Sequence, residues 1–146
     1  MPDQAVPASP AAPAADVDSA AHWRTLRQHR LALQECEACE RRRFPPTPRC
    51  PFCADPRSRW ETVAGTGTVY SAVTVHRTLD AAFDGETPYT VVTVDLDGGG
   101  RMLGRAADGR LDIGDRVTPS YLDHDGWTEL RFGLARPSAH GRTAPR

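Results

Sequence analysis

The chain contains no lysine and no asparagine; all 18 of its basic residues are arginine. Without lysine there is no Schiff-base chemistry and no phosphate-loop lysine, and without asparagine there is no such catalytic partner or oxyanion donor. No apolar run reaches the roughly 18 to 20 residues that cross a bilayer, which excludes a membrane-spanning helix. The N-terminus has neither a basic flank nor an apolar run, so a cytoplasmic protein is expected. Also missing are Gly-x-Ser-x-Gly, His-Glu-x-x-His and a phosphate-cradling glycine loop. The histidines at 22, 29, 76, 124 and 140 are scattered, with none at ligand spacing from another, and read as surface or packing residues. The acid pairs Asp95/Asp97 and Asp123/Asp125 flank turns and read as solvated. No set of residues composes an active site, so no catalytic residue is expected.

The charge is unevenly placed. A net charge of -1 over 146 residues divides into -3 for residues 1–20, +5 for 21–60, -6 for 61–135 and +3 for 136–146. A basic segment followed by an acidic body suggests two modules with different partners. Residues 1–18 are mostly alanine and proline with little to bury, and are expected to be disordered. Residues 136–146 read the same way.

A short helix is expected from Ser19, with Asp18 or Ser19 accepting a first-turn N–H. Trp23 and Leu26 share its face, which must dock either on its own domain or on a partner protein. Residues 19–60 then form a helix and a ribbon, and residues 61–135 a barrel. Strands are expected at 68–76, with Val69, Ser71, Val73 and Val75 on one face, and at 89–96, 101–106, 116–123 and 127–132. Asp-Gly pairs at 84–85, 97–98, 108–109 and 125–126 mark turns. Five strands in about 75 residues, with a helical turn near 111–114, suit an OB-like barrel. Gly65-Thr66-Gly67 reads as a bend that lets the barrel curl, and Gly98-Gly99-Gly100 as a flexible hairpin tip. The fold class is therefore mainly β: a helix, a ribbon and a small barrel.

All four cysteines lie in one stretch, Cys36-Glu37-Ala38-Cys39 and, ten residues on, Cys50-Pro51-Phe52-Cys53. Each pair makes a tight knuckle, and two knuckles bring four thiolates to one tetrahedral ion, with Zn–S near 2.3 Å. Structural Zn2+ is the expected cofactor; iron in the same site and a pair of disulfides are the alternatives. Metal binding must supply the fold of so small a segment. A closed four-sulfur site leaves no open position for catalysis and no cysteine free as a nucleophile. Arg41, Arg42, Arg43 and Arg49 lie between the knuckles and can offset the thiolate charge.

The order of these features carries a resemblance. A Trp-containing helix runs into Cys-x-x-Cys; then come Arg43-Phe44-Pro45-Pro46, Cys-Pro-x-Cys, Trp60-Glu61 and Gly65-Thr66-Gly67-Thr68-Val69-Tyr70-Ser71. Thr74-Val75-His76-Arg77, Pro88-Tyr89 before a valine-rich strand, and Ile113-Gly114-Asp115-Arg116-Val117 follow. Over residues 20–135 the chain resembles the acyl-CoA-associated family with a rubredoxin-like zinc ribbon and an OB-fold, long known as domain of unknown function thirty-five. It departs at the positions after the knuckles, often glycine in that family, which are Glu40 and Ala54 here and should strain the turns slightly.

The resemblance implies a role as the small partner of thiolase-like enzymes, acetoacetyl-CoA thiolases and lipid-transfer-type thiolases or aldolases among them, with some members fused to or paired with hotdog-fold enoyl-CoA hydratases. The expected function is an accessory subunit that helps bind or position acyl-CoA while chemistry stays on the larger chain. Arg41, Arg42 and Arg43 are the candidate contacts for CoA phosphates or an acidic partner, with balancing of the thiolates as their other role. Trp23, Leu26 and Phe44 are candidate anchors at a partner surface, with ordinary packing as theirs. A nucleic-acid-binding module is a second reading, opposed by the acidic barrel and its few aromatics. A stand-alone acyl-CoA-binding protein and a self-sufficient acyl-CoA enzyme are further alternatives; the latter lacks a visible nucleophile or base.

Overall fold

In a computed structural model, residues 9–136 are described. Helix α1 (Ala20–Leu26) turns His22 and Leu26 inward against strands β1 (Leu31–Cys36) and β8 (Trp127–Leu134). Trp23 stands edge-on to Trp127, with centroids 6.3 Å apart. Ser19 precedes the helix but does not cap its first turn. Its N–H and hydroxyl both donate to Asp16 Oδ1, at 2.8 and 2.5 Å. Seven residues are too few to hold a helix alone, so docking on the chain's own strands stabilises α1. Of the lead expected to be disordered, residues 1–8 lie outside the described residues. Residues 9–18 run over the helix, where the Pro10 carbonyl accepts the Trp127 indole N–H at 3.2 Å. The tail at 137–146 also lies outside.

Strand β1 is the centre of a three-stranded antiparallel sheet, between β2 (Arg42–Arg43) and β3 (Ser58–Val63). All six residues of β1 are buried, Gln34 and Glu35 included, so it has no exposed face and no alternation by which to announce itself. The second sheet is a closed barrel in the order β4-β5-β6-β8-β7, formed by β4 (Gly67–Val75), β5 (Tyr89–Leu96), β6 (Arg101–Ala106), β7 (Arg116–His124) and β8. This is an OB-fold arrangement. Among the described residues only β6 and β8 pair in parallel.

In β4 the expected alternation breaks. A register shift between Val69 and Ser71 inserts one extra residue opposite β5. The extra residue inverts which side chains face in. Val69 is buried, Ala72 packs on the core, and Val73 is 60% exposed. The helical turn expected near residues 111–114 is a hydrogen-bonded turn without a helix. A 3-10 helix instead spans Ala81–Glu86, where the Asp80 carboxylate accepts the Ala82 N–H at 2.9 Å.

One core joins the modules. Leu26 from the helix and Leu31 and Leu33 from β1 pack with Val69, Val92, Val94, Val117 and Phe132 of the barrel. The three-stranded sheet runs to Val63 and the barrel starts at Gly67, so residues 64–66 form the seam between the two. Gly65 sits there at φ +77, and a Cβ on it would lie 2.7 Å from Pro119 Cγ. The bend expected inside the barrel is this joint. Among the described residues no helix is long and apolar enough to cross a membrane.

His22 is 3% exposed and packs on Trp23 and Phe44, each 5.0 Å away between ring centroids. Burial pushes its pKa down from 6.5 to about 4. The folded state therefore holds it neutral while the unfolded chain protonates it near 6.5. Its contribution to stability is complete above pH 6.5 and is lost as the pH falls toward 4. Replacing His22 with leucine should flatten the fall in melting temperature across that window; an unchanged pH profile would contradict this account.

Candidate functional site: a four-cysteine ribbon and the groove beside it

The two knuckles repeat one turn. Glu40 N–H donates to the Cys36 carbonyl at 2.9 Å, and Ala54 N–H to the Cys50 carbonyl at 2.8 Å. Cys36 N–H donates to Arg41 O and Cys50 N–H to Asp55 O, at 3.0 and 2.9 Å. Each turn closes through a left-handed residue, Glu40 at φ 58 and Ala54 at φ 63. These are the two positions where the chain departs from the glycine common in the family it resembles, and a side chain there costs roughly 1 kcal/mol each.

The turns aim the four sulfurs at one point. Cys36 and Cys53 Sγ are 3.6 Å apart, as are Cys39 and Cys50, and all four lie within 4.8 Å of one another. A disulfide needs about 2.05 Å, and all four thiols are free. Four sulfurs about 2.3 Å from one ion stand about 3.8 Å apart, so the set fits a tetrahedral metal. The thiols are not equivalent. Burial pushes Cys50 up, but the N–H groups of Phe52 and Cys53, together with hydrogen bonds from the Cys39 and Cys53 side chains, bring it down to about 6. The Cys39 N–H lowers Cys36. The Asp55 N–H favours the Cys53 thiolate, yet burial and the other three sulfurs push that group up to about 12. The ribbon is thus a rubredoxin-like zinc ribbon, with four cysteines positioned to bind structural zinc and no ligand position left open.

Beside the ribbon lies a groove of about 930 Å³, between residues 40–52 and the β5–β6 turn. Arg41, Arg42, Arg43 and Phe44 all line it, together with Phe52, Gly98, Gly99, Gly100 and Arg101. The three arginines have different employments. Arg42 donates to Glu35 at 2.8 Å and to the Gly98 carbonyl at 2.6 Å. Arg43 is buried and donates to the hydroxyl and carbonyl of Thr47, at 3.0 and 3.2 Å. Arg41 is exposed and rests over the Phe52 ring at 4.7 Å. Arg49 donates to the Ala54 carbonyl at the second knuckle. Glu35, nearly buried, binds Arg42 and Arg59, and the Arg42 hydrogen bond holds its carboxyl below the usual range.

Trp23 lies outside the groove. It lines a smaller apolar slot, and Phe44 forms a wall of both. Sequence reading missed Arg101, which stacks over Tyr70 at 3.7 Å and pairs with Asp95 at 2.6 Å. It also took the glycine triplet for a free tip. Gly98 instead receives Arg42, and a Cβ on Gly100 would lie 2.7 Å from Leu33 Cδ1. Two of the acids read as solvated also carry partners while staying about half exposed: Asp97 with Arg116 at 2.5 Å, and Asp123 with His29 at 3.0 Å.

Comparison with known proteins gives concordant matches. Residues 23–57 match the family described as ChsH2, rubredoxin-like zinc ribbon domain, and residues 60–121 match ChsH2, C-terminal OB-fold domain. Over 132 residues the chain is 39% identical to a probable enoyl-CoA hydratase alpha subunit of Thermomonospora curvata, covering 86% of this chain and 39% of that protein. Over 132 residues it is 32% identical to the 3-oxo-4,17-pregnadiene-20-carboxyl-CoA hydratase alpha subunit of Mycobacterium tuberculosis, covering 88% and 41%. The chain thus spans about two fifths of the length of these curated relatives. Among solved structures, a chain of the Ltp2-ChsH2(DUF35) aldolase superposes with a TM-score of 0.74 at 33% identity, covering 84% of this chain and 98% of that one. A DUF35-family protein of unknown function from Sulfolobus solfataricus shares the fold, with a TM-score of 0.59 at 14% identity, covering 82% and 86%.

Proposed function

The chain belongs to the ChsH2 (DUF35) family of zinc-ribbon and OB-fold proteins, and from that premise we propose that it is a non-catalytic accessory subunit which partners a thiolase-like enzyme and helps hold that enzyme's acyl-CoA. The observation that carries this reading is the likeness to the ChsH2 chain of an aldolase complex, over 98% of that chain's length. The ribbon supports it physically: a closed metal site does architecture and no chemistry. The groove supplies what a CoA phosphate or pantetheine arm needs. Arg41 sits exposed at its rim over the Phe52 ring, while Arg101, also at the rim, lies over Tyr70 and is paired with Asp95. Arg42 and Arg43 are consumed in holding the groove's shape, so they act as positioning residues. Phe44 and Trp23 are partner-side anchors only where they reach the surface through the slot.

A second reading pairs the same subunit with a hotdog-fold hydratase. Its support is that both curated relatives are named hydratase alpha subunits and are more than twice as long as the matched region. The discriminating experiment is co-expression with each class of enzyme from the same genome, followed by affinity capture and acyl-CoA turnover. Stable capture of the thiolase-like enzyme, with turnover needing both chains, is the expected result; capture of the hydratase alone would transfer the role to the second reading. Within the captured complex, Arg41→Glu should weaken acyl-CoA binding about tenfold or more, the worth of one charge-assisted contact. No change in affinity would remove the groove from the CoA site.

A further inference from the structure

The lead before α1 reads Pro10-Ala11-Ala12-Pro13-Ala14-Ala15, with proline at every third position. Burial follows the same period: Pro10 and Pro13 are partly covered, while Ala11, Ala12, Ala14 and Ala15 are exposed. Residues 10–15 form no helix or strand, and among the described residues their backbone groups make no hydrogen bond to other backbone groups. A three-residue period, φ held at about −65° by each proline, and carbonyls left free are the marks of a polyproline II segment. Its far end is pinned at Asp16, whose N–H donates to Ser19 Oγ at 3.1 Å and whose carbonyl accepts the Ala20 N–H at 2.9 Å.

The lead lies against an aromatic corner. Trp23 from α1 and Trp127 from the start of β8 stand at 82° to one another. His124 stacks on Trp127, with centroids 4.4 Å apart, and its Nε2 lies 2.9 Å from Glu129 Oε2, so the indole is held in one orientation. In that orientation its N–H donates to the Pro10 carbonyl at 3.2 Å. Between Pro13 and the two indoles runs a groove of about 590 Å³, with the small residues Ala20 and Gly126 in its lining. No residue of the lead belongs to the core. The lead is thus held at its proline positions and by one hydrogen bond, and can leave without opening the fold.

We propose that Trp23 and Trp127 form a recognition shelf for a proline-rich segment in the polyproline II conformation, and that residues 10–15 of this chain are its resident ligand, bound intramolecularly. Flat pyrrolidine rings pack on aromatic faces, a polyproline II backbone arrives with its carbonyls unpaired, and the indole N–H is the donor that fixes register. A purely aliphatic ligand would leave that N–H unanswered. The same two indoles border the apolar slot that Phe44 walls, so release of the lead bares both rings beside it. The shelf is separate from the cysteine ribbon and from the Arg41 groove, and does not rest on the identity of the partner enzyme.

The test uses the full zinc-loaded chain, labelled with nitrogen-15. In the native chain the heteronuclear NOE values of Ala11, Ala12, Ala14 and Ala15 should match those of α1. In the variant Pro10→Gly/Pro13→Gly they should fall to free-tail values while those of β5 stay unchanged. The vacated shelf should bind Ac-SPAAPAA-NH2, the sequence of residues 9–15, about tenfold more tightly than the native chain does, because a shelf filled about nine-tenths of the time offers about one-tenth to a competitor. Ac-SAAAAAA-NH2 should bind the variant about tenfold more weakly than the proline peptide. Adding Trp127→Phe, which keeps a ring and removes the N–H, should weaken the proline peptide about fivefold. If that addition loses the native melting transition, the Trp127 indole proton resonance of the glycine variant replaces it: it should shift when the lead is released and return as the peptide saturates. Dilution from about 1 mM to about 10 μM should leave the NOE values of the native lead unchanged; their fall on dilution would give the shelf to the lead of a second copy and overturn intramolecular binding. Equal NOE values in native and variant chains, or equal affinity for the proline and alanine peptides, overturns the proposal.

Discussion

Replacing Cys50 with serine is expected to release the metal, dissolve the three-stranded sheet and lower the melting temperature of the barrel as well. The ribbon has a seven-residue helix, a two-residue strand and two turns that each force a side chain into the left-handed region. None of these holds alone. In small zinc-folded peptides the metal contributes about 10 to 16 kcal/mol, as large as the whole stability of an ordinary domain at about 5 to 15 kcal/mol. The loss cannot stay local, because Leu31 and Leu33 leave the same core that contains Val92 and Phe132. Elemental analysis should find one zinc per native chain and none per variant, and amide resonances of β1, β2 and β3 should collapse together. A metal-free variant that kept the native amide spectrum would defeat this account of the ribbon.

The second large effect belongs to Gly67. This residue pairs with Leu96 on one side and Val117 on the other, at the point where the barrel closes. A Cβ there would lie 2.3 Å from the Asp95 carbonyl oxygen and 2.7 Å from Val94 Cγ1. Backbone cannot yield as a side chain can, so Gly67→Ala must push β5 away from β4. The expected destabilisation is about 3 kcal/mol, the upper end for overpacking. Gly85→Ala is the control: a Cβ there meets nothing within 4 Å, and its effect should stay within about 0.5 kcal/mol. Denaturant unfolding of the pair decides the matter; similar midpoints would mean that closure tolerates the intrusion.

How much of this was legible in the sequence follows from which residues carry a local signal. Strands β5 and β6 alternate or run β-branched between glycine turns, and their expected spans coincide with those found. The four cysteines announce themselves by spacing, which needs no knowledge of the rest of the fold. Strand β1 gave no sign because burial on both faces erases periodicity. The parity of β4 failed at Tyr70, where one unpaired residue reverses every side chain that follows. Arg41, Arg42 and Arg43 are indistinguishable as letters. Only the positions of Glu35, Gly98 and Thr47, set by other elements, decide that two are turned to internal partners and one reaches water. The pairing of Arg105 with Arg131 was invisible for the same reason: it arises from a parallel contact between strands 26 residues apart in register.

The seam between the sheets has a mechanical corollary. It is three residues long, wedged by Pro119 against Gly65 and bridged by continuous packing on either side. Turning the three-stranded sheet against the barrel would have to open that shared packing, so a displacement of one is expected to carry the other with it.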